Sequence, residues 1–374
     1  MYNDCDTISA DRTEGSRGNV GVNPSVVHFT TEFTPLSDPP SPLKLSELRE
    51  HAVKRGFIDG STDQAEYILN RISYQHASGY FRLFSDENGK MMSGASMKTL
   101  HRIILFDRKL QALFMEYIGL FELQFRAQYS YRLSMQRGAF AHRDPKNFKK
   151  KDFFKNFLQT YQREFKRQIK NRNINVIEAY EKYGDAPTWL AVELMSFGTL
   201  SMLYSNTRSK SVRNGVAESF GVTQEELTSW ARSISGIRNT CAHFGQICGK
   251  KLVSRPKRIH GAEGDNGNPF YIILVLLKLL NTNRLFAEDT SLSYGALLLR
   301  DATNLLSEFS DILNIANIPP NWSDLLLQES VLGIKVHRVV HNGRLRNYLI
   351  KKLGIKHTSI TAVDSRGRKT NISN

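Results

Sequence analysis

An all-α helical bundle with additional helices at both ends is the fold this sequence predicts, and three observations carry it. Apolar residues recur at spacings of three and four along most of the chain. Alternating patterns of the strand kind are few, and no repeat of fixed period is present. Hydrophobic residues make up 40% of the 374 positions, enough for a core between helices.

From the N-terminus, residues 1–40 are rich in Ser, Thr, Asp, Gly and Pro and read as a disordered tail. A short helix begins near Leu43 and ends around Arg55-Gly56. A second starts near Ser61-Thr62-Asp63, where Ala65, Ile68, Leu69 and Ile72 form one face. The longest periodic segment runs from Asp107 to about Gln136, with Gly138 as its stop. Leu110, Leu113, Phe114, Tyr117, Phe121 and Phe125 give it a wide apolar face. A basic, aromatic segment, Lys149 to Arg172, comes after Pro145. Pro187 suits the start of a helix from Trp189 to Tyr204. Gly221 separates a short helix from one that begins at Thr223. Past His243 the chain is irregular as far as Pro269, and two further helices are expected at roughly 270–286 and 290–314. Pro319-Pro320 ends the pattern. The expected organisation is therefore a tail (1–40), a helical domain (41–332) and a basic C-terminal tail (333–374).

Charge narrows the function. Lys and Arg outnumber Asp and Glu 51 to 36, a formal net charge of +15, which argues for an anionic partner, nucleic acid before membrane. The three cysteines, Cys5, Cys241 and Cys248, have no framework spacing and read as reduced thiols of a cytoplasmic protein. Residues 1–20 lack the apolar core of a signal peptide, and the run Phe270 to Leu280 is too short to span a bilayer, so no membrane role is expected.

The helix after Thr223 carries the candidate chemistry. Thr223-Gln-Glu-Glu226 is a capping box. Leu227, Trp230, Ile234, Ile237 and Cys241 then fall on one stripe, which puts Asn239 and His243 on the opposite face, one turn apart. Arg238 flanks the stripe and is long enough to reach the polar face. An imidazole can take or give a proton near neutral pH, a guanidinium matches phosphate oxygens, and an amide can orient either. These groups suit metal-independent cleavage of RNA, in which the 2′-hydroxyl attacks the adjacent phosphorus, so no cofactor or metal is expected. One motif offers one histidine, whereas acid and base are two jobs, so a homodimer is expected to complete the site. The bare Arg-x4-His spacing is not specific: it also occurs at Arg71/His76, Arg137/His142 and Arg255/His260. Cys241, His243 and Cys248 fit no zinc spacing. Lys149, Lys150, Lys151, Arg163, Lys166 and Arg167, interleaved with aromatics, are candidates for contact with an RNA backbone.

The words around the motif carry a resemblance. Ser229-Trp230 through Arg238-Asn239-Thr-Cys-Ala-His243 resembles the signature helix of the Abi-like family of bacterial abortive-infection proteins (the AbiD/AbiF kind), within the HEPN superfamily. Ile72-Ser-Tyr74 to Gly79-Tyr80, Phe106-Asp107-Arg108, Phe121-Glu122 to Arg126, Pro187-Thr-Trp189, Met195-Ser196-Phe197-Gly198 and Ile318-Pro319 to Trp322 resemble further family blocks in the same order, across roughly 43–330. The resemblance implies a HEPN-type helical bundle, a composite dimeric site and RNase activity in phage defence. It implies catalytic roles for Arg238, Asn239 and His243, and supporting roles for Glu122 and Arg126. It also admits a structured regulatory RNA as partner. Phe244 stands where a second histidine is common, and Gln75-His76 replaces a Tyr-Arg pair. Beside the nuclease stand two other readings: an RNA-binding module without turnover, and a membrane-surface or protein-interaction factor driven by charge.

Overall fold

A computed structural model describes residues 41–57, 62–86, 91–92, 95–281 and 293–332, together with the backbone of 361–363 and 369–371. The expected 1–40 tail lies outside the described residues, as does most of 333–374.

One helix organises the rest. After α1 (Leu45–Lys54), α2 (Thr62–Ile72) and α3 (Tyr74–Phe81) comes α4 (Met97–Arg137), 41 residues long and so about 60 Å at 1.5 Å per residue. It starts ten residues before the apolar face marked at Asp107. Ser96 caps it, its hydroxyl accepting from Thr99 N at 3.1 Å, and Met97, Leu100, Ile103 and Ile104 carry the buried apolar face from that cap to Asp107. It stops at Gly138, whose φ of 87° ends the helix without strain.

The remaining helices are α5 (Lys151–Lys170), α6 (Ile174–Tyr183), α7 (Thr188–Ala191), α8 (Phe197–Asn206), α9 (Lys210–Glu218) and α10 (Gln224–Ala242). After them come α11 (Tyr271–Leu280), α12 (Tyr294–Glu308), α13 (Trp322–Leu326) and α14 (Glu329–Leu332). The expected single helix from Trp189 to Tyr204 is two helices. A 3-10 turn at Val192–Leu194 ends the first, and Met195 and Ser196 are extended. The Ser196 hydroxyl then caps α8 by accepting from Thr199 N at 3.2 Å, so a side chain in mid-pattern outcompetes the continuing helix. Helix α11 ends at Leu280, and residues 282–286 of the longer helix expected there lie outside the described residues.

The class is all-α. The one sheet described is a hairpin of β1 (Thr361–Val363) antiparallel to β2 (Lys369–Asn371). Helix α4 packs against α8, α9 and α10 on one side and α11 and α12 on another. An aromatic cluster joins α4 to α8: Phe121 and Phe125 both stand 5.9 Å from Phe197, and Phe125 is 5.2 Å from Tyr204. Helix α11 is apolar but for Lys278, whose Nζ donates to Ser330 O at 2.9 Å, and Ile272 through Leu277 have no exposed surface. Among the described residues no helix is long and apolar enough to cross a membrane.

Candidate functional site

The C-terminal end of α10 is built from both sides of the helix. At its start Thr223 Oγ1 accepts from Glu226 N at 3.2 Å, while Thr223 N donates to the Glu226 carboxylate at 2.8 Å. Leu227, Trp230, Ile234, Ile237 and Cys241 are buried, and the Trp230 indole donates to Lys257 O at 2.7 Å. This anchored stripe fixes the rotation of the helix, so Asn239 and His243 face solvent. Among the described residues neither of these two side chains has a hydrogen-bond partner. Arg238 is half-buried, and its Nε lies 3.7 Å from Glu122 Oε2 on α4.

Glu122 uses its other oxygen for Arg126, which is buried. Arg126 in turn donates to the carbonyls of Val192 and Met195, the latter at 2.8 Å, at the break between α7 and α8. The order is thus backbone carbonyls, Arg126, Glu122, Arg238. One carboxylate between two guanidiniums aims the outer one, and the Arg238 terminal nitrogens have no acidic partner among the described residues. The sequence-marked residues Arg238, Glu122 and Arg126 therefore meet, with Asn239 and His243 on the exposed side of the same helix end.

The segment after His243 is equally organised. Phe244 has φ 54° and Gly245 N returns to Thr240 O at 2.8 Å, closing the helix. The chain then runs into Asp107 of α4, which is fully buried. Asp107 accepts from Tyr80 Oη at 2.7 Å, Gln111 Nε2 at 2.9 Å, Ile247 N at 3.1 Å and Cys248 N at 2.7 Å. Gln111 also donates to Gly245 O at 2.8 Å, and Arg108 to Phe244 O at 2.8 Å. His76 Nε2 stands 3.3 Å from the same Arg108, and burial, then the Arg108 charge, holds this histidine below its ordinary pKa. Tyr80, Asp107 and Arg108 fall within the motif blocks of the sequence, but no local spacing gives them a role. Only the tertiary contact reveals that they clamp the chain beyond His243.

Both thiols of the described residues lie within reach of the Asp107 charge and are buried. Burial pushes Cys241 up to about 12 and Cys248 well above the ordinary thiol range, with Asp107 adding to both. Among the described residues no group of three or more His, Cys, Asp or Glu side chains is placed to hold a metal ion.

The basic candidates divide. Lys149, Lys150 and Lys151 sit where the chain enters α5, while Arg163, Lys166 and Arg167 lie further along its exposed face. Arg167 is paired with Glu164 at 2.7 Å, which lowers its value as a phosphate ligand.

Compared with known families, residues 67–248 match the one described as Abi-like protein. The match begins in α2 and ends at Cys248, so it contains both Glu122 and Arg238 and closes on the segment that Asp107 holds. Neither a curated protein nor a solved structure matches the chain.

Proposed function

Because the chain belongs, through residues 67–248, to the Abi-like protein family, we propose that it is a metal-independent endoribonuclease of the HEPN type, acting in abortive infection against phage. The observation that carries the reading is the pairing of Arg238 with Glu122 at the end of α10 that exposes His243 and Asn239.

In this reading the His243 imidazole takes the proton of a ribose 2′-hydroxyl. The freed oxygen bonds to the adjacent phosphorus, and the bond to the 5′ oxygen breaks. That oxygen receives a proton from a second imidazole, leaving a 2′,3′-cyclic phosphate and a 5′-hydroxyl. Arg238, turned outward by Glu122, holds the non-bridging oxygens as charge builds on them. Asn239, one turn before His243, hydrogen-bonds the phosphate or the imidazole.

The second imidazole is assigned to His243 of a second copy. Two solvent-facing lines flank the Glu122–Arg238 pair and support a symmetric dimer there. On α4, Met115 and Leu123 are exposed and the space over Gly119 is open. On α10, the space over Gly236 is open and leads to Asn239 and His243. Small residues let two helices approach closely, and exposed Met and Leu supply the apolar area an interface needs.

RNA cleavage in EDTA, wild type against His243→Ala, tests the reading. The wild type is expected to cut and the variant to be inactive. A variant that cuts as well as wild type overturns the assignment, and RNA binding without cleavage by either protein would leave a binding module.

A further inference from the structure

A second feature lies at the opposite end of the α4–α8 contact from His243. Tyr129 of α4 bonds Thr207 at 2.8 Å, about 10 Å along the helix axis beyond Glu122. Next to Thr207 the chain entering α5 pairs with the end of α8: Lys149 N donates to Asn206 O at 2.9 Å, and Lys150 N to Asn206 Oδ1 at 3.1 Å. Between these strands of chain and the first turns of α5 opens a cleft of about 590 Å³.

Its walls and mouth differ in character. Leu158 and the edges of Phe148 and Phe154 line its floor; the two rings stack on each other at 5.2 Å and are otherwise buried, and the cleft surface is mainly apolar. Lys146, Lys149, Lys151, Lys155 and Arg208 also line it, all exposed, and no acidic side chain does. Two of these cations are held by carbonyls rather than carboxylates. Arg208 donates to Lys146 O at 3.1 Å and Phe148 O at 2.8 Å, and Lys149 to Ser205 O at 3.1 Å. Their charge is therefore fixed in place and left unneutralised. Lys150 gives α5 no side-chain cap, and Asp152, the acidic residue in its first turn, does not line the cleft. Gln159 and Gln162 add amides that can donate and accept.

We propose that this cleft is an RNA exosite that takes one nucleotide of a single strand, its base over the apolar floor at Leu158 and the edges of Phe148 and Phe154 and its phosphates on the lysine rim. Apolar walls beneath a cationic mouth suit a flat base joined to phosphates. The two glutamines suit a base edge and would serve no purpose to an acyl chain. A cleft of this size admits one base and excludes a duplex. The proposal rests on RNA as the ligand of the proposed nuclease, but not on His243 or on turnover.

The test uses full-length protein carrying His243→Ala and a fluorescent ten-nucleotide single-stranded RNA, with affinity measured across a salt series. Lys151 and Lys155 have no hydrogen-bond partner among the described residues, so Lys151→Glu/Lys155→Glu leaves the fold intact, as circular dichroism would confirm. We expect this pair to weaken binding about tenfold or more and to flatten the salt slope by roughly 1.4, two phosphate contacts at about 0.7 each. Arg163→Glu/Lys166→Glu, on the same helix outside the cleft, is expected to weaken it about threefold or less. A 4-thiouridine-substituted strand is expected to crosslink within 145–162 or at Arg208. Equal loss from the two charge reversals, equal affinity for a duplex of the same sequence, or crosslinks confined to other segments would each overturn the exosite. None of these results bears on whether the protein with His243 intact cuts RNA, so the two proposals fail separately.

Discussion

The Glu122 carboxylate lies 3.7 Å from Arg238 Nε across the contact of α4 with α10, while its other oxygen holds the buried Arg126. A half-exposed ion pair at that distance contributes only about 0.2–1 kcal/mol. Its consequence is orientation: it presents the terminal nitrogens of Arg238 beside Asn239 and His243. Glu122→Gln is therefore expected to lower cleavage roughly 10²-fold at temperatures where the variant is folded. Arg126 loses its counter-charge in the same variant, so unfolding free energy should fall by about 3 kcal/mol. Urea denaturation and single-turnover cleavage measure the two effects. Undiminished cleavage by the folded variant would show that Glu122 does not direct Arg238.

How much of this was legible depends on distance along the chain. The capping box at Thr223 and Glu226 and the buried stripe behind it are local, and both formed where the spacing put them. The cap at Ser196 is also local, but a single hydroxyl amid many carries little signal, so the break before α8 does not stand out in the sequence; the start of α4 does, since Met97, Leu100, Ile103 and Ile104 keep its apolar spacing upstream of Asp107. The Asp107 clamp joins three segments far apart in sequence, and no periodicity encodes it. The four Arg-x4-His pairs illustrate the same limit. Identical spacing yields a buried His142, a His76 beside Arg108, an exposed His260 and the exposed His243 at a helix end.

Asp107 gives the next prediction. Four donors converge on a carboxylate with no exposed surface. Asp107→Asn replaces one accepting oxygen with an amide that faces donors, and should lower stability by about 2–4 kcal/mol. Tyr80→Phe removes one donor and leaves three, so about 1 kcal/mol is expected. Chemical denaturation of both variants checks the ratio. Equal losses would mean that the remaining donors do not sustain the clamp.

His142 predicts an acid-labile fold. It is fully buried, with Nδ1 3.1 Å from Thr188 Oγ1 and no partner for Nε2 among the described residues. Burial pushes its pKa down to about 4, partly offset by Asp185 and reinforced by Arg143. Because the folded value lies below the unfolded value of 6.5, the unfolded chain binds the proton first. Stability is complete above pH 6.5, declines as pH falls, and has lost on the order of 3 kcal/mol by about pH 4. His142→Phe should flatten stability against pH in that window. An unchanged slope would assign the acid lability to other groups.

The dimer prediction concerns α4. Leu123 is 65% exposed, one residue from Glu122 and one turn from Gly119, over which nothing lies within 4 Å. In a monomer an arginine at this position would be solvated and nearly neutral for stability. Across a two-fold interface the same arginine would meet its own copy or an apolar surface, with like charges facing each other and water excluded. Leu123→Arg is therefore expected to leave the melting temperature near that of wild type at low protein concentration. Sedimentation should show monomer, and cleavage should fall in proportion to the dimer lost. Raising protein concentration should recover both together if the substitution only weakens association. A monomeric variant with full activity would require both the acid and the base to come from one chain. In that case His76, held beside Arg108 and close to Phe244, is the imidazole to substitute next.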